Sequence, residues 1–328
     1  MKNILISTIA AANLFTMVAV AQPRSVPVEG RARAFDRVGR RAVPKTGAQA
    51  SPRAVDASRP AGVSRMLYVL TVAPGGLGVI GFGVVDAGSG KFVPIGPGFQ
   101  PDQPGAGTGL VPGPRTSLLT LNFNGNLDAI DAAKGTASTI GATGLRDCSM
   151  IGSYDPLCAN VIGKLDATVY VTDFAQNLYS VHQKTGKAKL IGPTGIPPLT
   201  FAPATENPDG SVNLYAESLV GLRGKLYGLF SAVAINFETG TITQLSPGAI
   251  YQIDPETGWT RRVATDPSLS NLSTIVNVND TIYGFDTSTG QVVSVDLGTG
   301  HTTPLSDLDP DAGIIVGATA RQSAGNRD

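Results

Sequence analysis

An all-β fold of repeated four-stranded antiparallel sheets, closed into a ring, is what three observations in this chain predict. The first is the stretch 272–305. It reads Leu-Ser-Thr-Ile-Val-Asn-Val, Asn-Asp, Thr-Ile-Tyr-Gly-Phe-Asp, Thr-Ser-Thr-Gly, Gln-Val-Val-Ser-Val-Asp, Leu-Gly-Thr-Gly and His-Thr-Thr-Pro-Leu. These are four short runs rich in Val, Ile, Thr and Tyr, separated by turn signals. One such meander cannot bury its own face, so copies of it are required. The second observation is a recurring turn. Asp86-x-x-x-Gly90, Asp131-x-x-x-Gly135, His182-x-x-x-Gly186, Asp254-x-x-x-Gly258 and Asp296-x-x-x-Gly300 each stand between the third and fourth runs of a unit. The Asp caps the turn through its own backbone, and the Gly takes the left-handed conformation that closes it. The third is composition: 40 Gly, 42% hydrophobic and 15% charged residues in 328, with no sustained 3.6-residue apolar period after the leader. That suits short strands and tight turns and argues against a helical bundle. Together they predict a β-propeller of five blades.

Taken in order, the chain starts with Lys2, an apolar run over 4–20 and the small residues Ala19-Val20-Ala21, which predict a secretory signal peptide over 1–21. Residues 22–62 carry Arg24, Arg31, Arg33, Arg37, Arg40, Arg41, Lys45, Arg53 and Arg59 against Glu29, Asp36 and Asp56, diluted in Pro, Ala and Ser. Such a segment has too little apolar surface to offset chain entropy and is predicted to be disordered, either a solvated leader or a cationic arm for an anionic surface. The whole chain balances 25 basic with 25 acidic residues, so the part beyond this segment is acidic. That argues against a nucleic-acid partner for it.

The propeller itself is expected over 63–321, with 322–328 a disordered tail. Its first unit has runs at 67–69, 77–86 and 92–95; its second at 117–122, 126–131 and 137–140; its third at 161–165, 168–173, 177–182 and 188–191. The fourth has 213–220, 225–234, an extra hairpin through Gly240, 249–254 and 260–264, and that hairpin leaves six blades as the alternative. After the fifth unit, residues 313–319 read as an innermost strand with nothing following, while the first unit lacks one. The tail strand is therefore expected to complete the first blade and remove the free edges. No stretch after the leader is long and apolar enough for a helical span, and the strands fall short of the ~9–11 residues of an outer-membrane barrel. The expected product is a soluble monomer, periplasmic or secreted, in which Cys148 and Cys158 form a disulfide.

Val169-Tyr170-Val171-Thr172-Asp173 resembles the Tyr-Val-Thr-Asn signature of exported bacterial YVTN-type β-propellers. The phrases Leu226-Tyr227 and Ile253-Asp254-x-x-Thr257-Gly258 look like the blade repeats of that group. The likeness spans 66–320 and concerns scaffold positions. It implies the propeller and export, and it carries over no catalytic residue.

Residues 96–115, 142–160 and 193–213 read as long connections sharing one face with the extra hairpin, and scaffolded loops of this kind are where binding usually lives. Arg115, Tyr154, Asp155, Glu206, Asn207 and Asp209 are the candidate contacts there, with Glu217 directed into the central channel from an inner strand. The expected partner is a protein or carbohydrate. Asp307, Asp309 and Asp311 are spaced as in a calcium loop. However, Gly313 falls one place late for an EF-hand and the twelfth position is Ala318, so a solvated turn is preferred and no cofactor is expected, calcium being the alternative. His182 and His301 are the only histidines, too few for a three-His metal site, and neither a Gly-x-Ser-x-Gly elbow nor a phosphate-cradling Gly-Lys-Ser/Thr loop occurs. The rival reading is a secreted hydrolase of a glycan or lactone, with Glu217 and Asp155 or Asp209 meeting at the channel mouth. A third is a structural envelope protein tethered by its basic segment.

Overall fold

The alternation of apolar residues along each short run is satisfied by giving every sheet a neighbour on both faces. The computed structural model of the protein describes residues 66–72, 79–145, 159–196, 211–236 and 241–320. In chain order the strands are β1 (Met66–Val72), β2 (Ile80–Asp86) and β3 (Phe92–Pro94); β4 (Gly107–Pro112), β5 (Ser117–Asn122), β6 (Asn126–Asp131) and β7 (Thr136–Ala142); β8 (Ala159–Leu165), β9 (Thr168–Asp173), β10 (Asn177–Val181) and β11 (Ala188–Pro193). They continue with β12 (Ser211–Leu222), β13 (Lys225–Asn236), β14 (Thr241–Gln244), β15 (Ala249–Ile253) and β16 (Thr260–Thr265); β17 (Leu272–Val278), β18 (Thr281–Asp286), β19 (Gln291–Val295) and β20 (Thr302–Asp307); and finally β21 (Ile314–Ala320).

These strands form five antiparallel sheets, ordered β21-β1-β2-β3, β4-β5-β6-β7, β8-β9-β10-β11, β12-β13-β15-β16 and β17-β18-β19-β20. The inner strands β4, β8, β12, β17 and β21 touch one another in a closed cycle. The molecule is a five-bladed β-propeller. Its closure is the expected one: Tyr68 pairs with Thr319 and Val72 with Ile314. Six blades are excluded, because β14 only extends β13, with Ile235 opposite Ile242.

Strand alternation explains the core. In β5, Leu118 packs with Leu70, Phe82 and Ile130 between the first and second blades, while the next residue, Leu119, packs with Ile162, Val169 and Val171 between the second and third. In β12, Leu219 and Val220 divide in the same way between the seams on either side of the fourth blade. Five buried clusters result, one in each seam. Outer strands meet solvent, so β7, β11, β16 and β20 carry Thr, Lys and Arg and are mostly exposed.

One expected connection is corrected. Residues 96–115 contain β4, the inner strand of the second blade, so the true connection is 95–106. The strand escapes a propensity reading because Gly107, Gly109 and Pro112 lie within it. Gly107 and Gly109 are required by crowding: a Cβ on Gly107 would overlap the Leu121 carbonyl, and one on Gly109 would meet Ile162. A register shift between Thr108 and Val111 bends the strand at the same place.

The recurring turn has the expected chemistry and a further role. The Asp86, Asp131, Asp254 and Asp296 carboxylates accept backbone N–H bonds from Gly88, Ala133, Glu256 and Gly298 at 2.7–2.9 Å. Gly90, Gly135, Gly186, Gly258 and Gly300 all have positive φ, between 64° and 84°. Each also faces the end of the preceding blade's outer strand. Gly135 lies against residues 95–96, Gly186 against Gly141, Gly258 against Gly192 and Gly90 against Asp307. The Ile-Gly repeat at 140–141 and 191–192 thus supplies the other half of a glycine-to-glycine contact between blades.

Candidate functional site

An antiparallel meander puts its first and third connections on one rim of the ring and its second connection, with the link to the next blade, on the other. The first rim is minimal. Asp166, Arg223, Asn279 and Asp280 occupy two-residue turns with φ between 50° and 66°, and the exposed Arg223 guanidinium bridges to Asp280 across 3.1 Å between the fourth and fifth blades. On the opposite rim lie the strand ends that bound the links 95–106, 143–158, 194–210 and 308–313 and the insertion 237–248 between β13 and β15.

Arg115 is corrected by this geometry. It sits in the β4–β5 turn with φ 57°, exposed, on the short-turn rim and not with the other candidates. The cause is β4, whose presence reverses the chain once more before residue 115. Tyr154, Asp155, Glu206, Asn207 and Asp209 lie outside the described residues, as do Cys148 and Cys158. Glu217 is on inner strand β12 opposite Phe230, with only its backbone described. Asp307, Asp309 and Asp311 follow one another through the last link. The Asp307 carboxylate accepts from the Gln291 amide at 2.9 Å, and that of Asp309 caps the short 3-10 turn by accepting from the Asp311 N–H at 3.0 Å. Among the described residues no group of three or more His, Cys, Asp or Glu side chains is gathered to hold a metal ion.

Two carboxylates not singled out by the sequence reading are fully buried behind the long-connection rim. Asp128 on β6 accepts from the Gly105 N–H at 2.8 Å and the Asn122 amide at 2.7 Å. Asp173, at the end of β9, accepts from the Asn177 N–H at 2.8 Å, the Asn177 amide at 2.9 Å and the Tyr179 hydroxyl at 2.7 Å. These are the same device with the roles exchanged. In the second blade the amide of residue 122 donates to the carboxylate six positions on; in the third, the carboxylate of residue 173 accepts from the hydroxyl six positions on. Burial raises both carboxyls above their ordinary value, against the lowering effect of their hydrogen bonds. Burial and the adjacent Asp173 also push the Tyr179 phenol up. Asp128 ties the link 95–106 to the end of β5, and Asp173 braces the turn between β9 and β10. The sequence signal was available: a polar residue ends the second strand, and a second polar residue follows six places later, inside an otherwise apolar run.

A pH dependence follows. A carboxyl whose folded value is raised contributes stability below its unfolded value, near pH ~4, and loses that contribution as pH rises through the folded value. The Asp128→Asn variant keeps an oxygen to accept both bonds and has no charge to bury. Its urea midpoint is expected to vary less than that of the parent between about pH 4 and 7 and to be no lower at the upper end. An unchanged pH slope would show that Asp128 does not titrate in this range.

At the short-turn rim the ring axis opens into a cavity of about 260 Å³ bounded by all five inner strands, with Val111, Lys164, Val220, Val276, Asn277 and Thr319 among its lining residues. β1 starts and β21 ends on this rim, with Leu67 opposite Ala320, so the chain enters and leaves the ring here.

Neither a protein-family model nor a curated protein matches the chain. Among solved structures, a chain in the crystal structure of a nidogen/laminin complex aligns with 12% identity and a TM-score of 0.43, covering 77% of this chain and 97% of that one. A likeness of that degree adds nothing to the reading of the site, and the propeller rests on the sheets described above.

Proposed function

We propose that this chain is an exported, monomeric propeller of the YVTN type that acts as a binding module for a protein or carbohydrate, engaging it through the long-connection rim. The observation that carries the reading is the unequal distribution of chain between rims. Turns of two residues suffice at Asp166-Ala167, Arg223-Gly224 and Asn279-Asp280, yet the opposite links run through 143–158 and 194–210. A rigid ring that spends its extra chain on one rim is built like other scaffolds that present variable loops. Tyr154, Asp155, Glu206, Asn207 and Asp209 belong to those links; Arg115 does not and is removed from the surface. The leader over 1–21 and the basic segment 22–62 support export ahead of the folded ring.

The test uses the full chain and two variants, one with 146–158 and 197–210 replaced by Gly-Ser linkers of equal length, the other with Arg223→Ala on the short-turn rim. A partner captured from envelope extract is identified, purified and titrated against all three. Loop replacement is expected to weaken binding roughly tenfold or more, with Arg223→Ala unchanged. A partner held equally by the loop-replaced chain, or no partner at all, overturns the reading.

A further inference from the structure

Of the two nitrogen-bearing side chains that line the cavity at the short-turn rim, one is fully engaged and the other is not. The Asn277 amide donates to the Gly221 carbonyl at 2.8 Å and its oxygen accepts from the Asp280 N–H at 3.0 Å, so both ends are engaged. Lys164 is different. Its half-buried ammonium makes one hydrogen bond, to the Pro112 carbonyl at 2.8 Å across the seam between β4 and β8. An ammonium carries three donors. Among the described residues no carboxylate lies within ion-pairing distance of it; Asp166, two positions on and also in the lining, remains exposed and apart. Burial lowers the Lys164 pKa from its ordinary value, with no neighbouring charge to offset the loss of water. Bridging two inner strands needs only one donor and no charge, whereas leaving a cation half-buried without a counter-charge is costly.

We propose that this mouth is a binding site for a small organic monocarboxylate, with Lys164 as its counter-charge. The remaining Lys164 donors reach the carboxylate in a charge-assisted contact, and the five inner strands that ring the axis enclose the body of the acid. The volume, below the usual range of ~300–1,000 Å³ for drug-sized ligands, sets the class as a small free acid and not a peptide chain. Access is from the rim with two-residue turns, so the site does not depend on the long connections or on the partner proposed for them.

Benzoate and its neutral isostere benzamide, titrated calorimetrically into the full chain at low ionic strength, test the assignment. Saturable benzoate binding is expected, with benzamide weaker by roughly tenfold or more. Lys164→Met keeps the stem and removes the charge. It is expected to weaken benzoate by a similar factor and leave benzamide unaltered, while Lys164→Arg retains benzoate binding. Equal affinity for the two probes, binding of neither at millimolar concentration, or wild-type benzoate affinity in Lys164→Met overturns the site. Should the Met variant not fold, the benzoate and benzamide comparison in the parent and in Lys164→Arg decides it alone.

Discussion

A chain ending at Gly313 is expected to lose its cooperative unfolding transition, whereas one ending at Ala320 unfolds like the full chain. β21 is the inner strand of the first blade, yet it comes from the opposite end of the sequence. Ile315 and Ala318 pack in the seam with the fifth blade, and Val316 packs in the seam with the second, so removing the strand strips two cores at once. Full burial of each large aliphatic side chain is worth about 1.5–3 kcal/mol. To the loss of Ile315 and Val316 is added the exposure of Leu67, Val69 and Leu70 on β1, all fully buried in the closed ring. Against a total stability of about 5–15 kcal/mol, that is enough to abolish the fold. The bared edge of β1 is also a pairing template, so the shortened chain is expected to aggregate. Urea unfolding followed by circular dichroism, with light scattering alongside, makes the comparison. A cooperative transition in the chain ending at Gly313 would mean that closure by β21 does not hold the ring.

The second large effect is expected at the blade-to-blade glycines, where three substitutions separate two causes. Gly290→Ala changes a residue with φ 66° and nothing within 4 Å of the added methyl. Its expected cost is the left-handed strain alone, roughly 1–2 kcal/mol. Gly141→Ala has no such φ, but its methyl overlaps the Thr185 carbonyl across the seam, an overpacking cost of roughly 1–3 kcal/mol. Gly186→Ala combines φ 76° with overlap of the Gly141 carbonyl. It is expected to be the most damaging, at about 2–5 kcal/mol. The urea midpoints at constant slope should fall in that order. If Gly186→Ala costs no more than Gly290→Ala, the turn glycines serve the turn only and the seam contact is incidental.

Much of this architecture was legible because its causes are local. The β-branched alternation of β17 to β19 and the Asp-x-x-x-Gly turns each depend on residues a few positions apart, and the unpaired tail strand followed from counting units. What escaped the reading depends on contacts between blades. β4 was hidden because Gly107 and Gly109 answer to Leu121 and Ile162, and glycine is a poor strand former in isolation. Arg115 lies on the rim opposite to the expected one as a direct consequence, since one additional strand reverses the direction of everything up to the next turn. Asp128 and Asp173 carry a six-residue polar pairing that shows in the sequence, but only burial distinguishes them from the exposed turn aspartates. Lys164 gave no signal at all: a lysine in a strand that alternates with apolar residues is ordinarily a solvated one.

The amino-acid sequence by itself determined the strands that obey period-two alternation, the turns that join third to fourth strands, and the return of residues 314–320 to the strand at Tyr68. Those features rest on backbone preferences and on the need of each sheet for a covered face, and both act over short stretches of chain. Only the tertiary structure decided which rim a loop occupies, why the turn glycine admits no methyl, and that the Lys164 ammonium sits half-buried with no carboxylate beside it among the described residues. Each of these depends on the distance between groups brought together by closing the ring, which the order of residues does not contain.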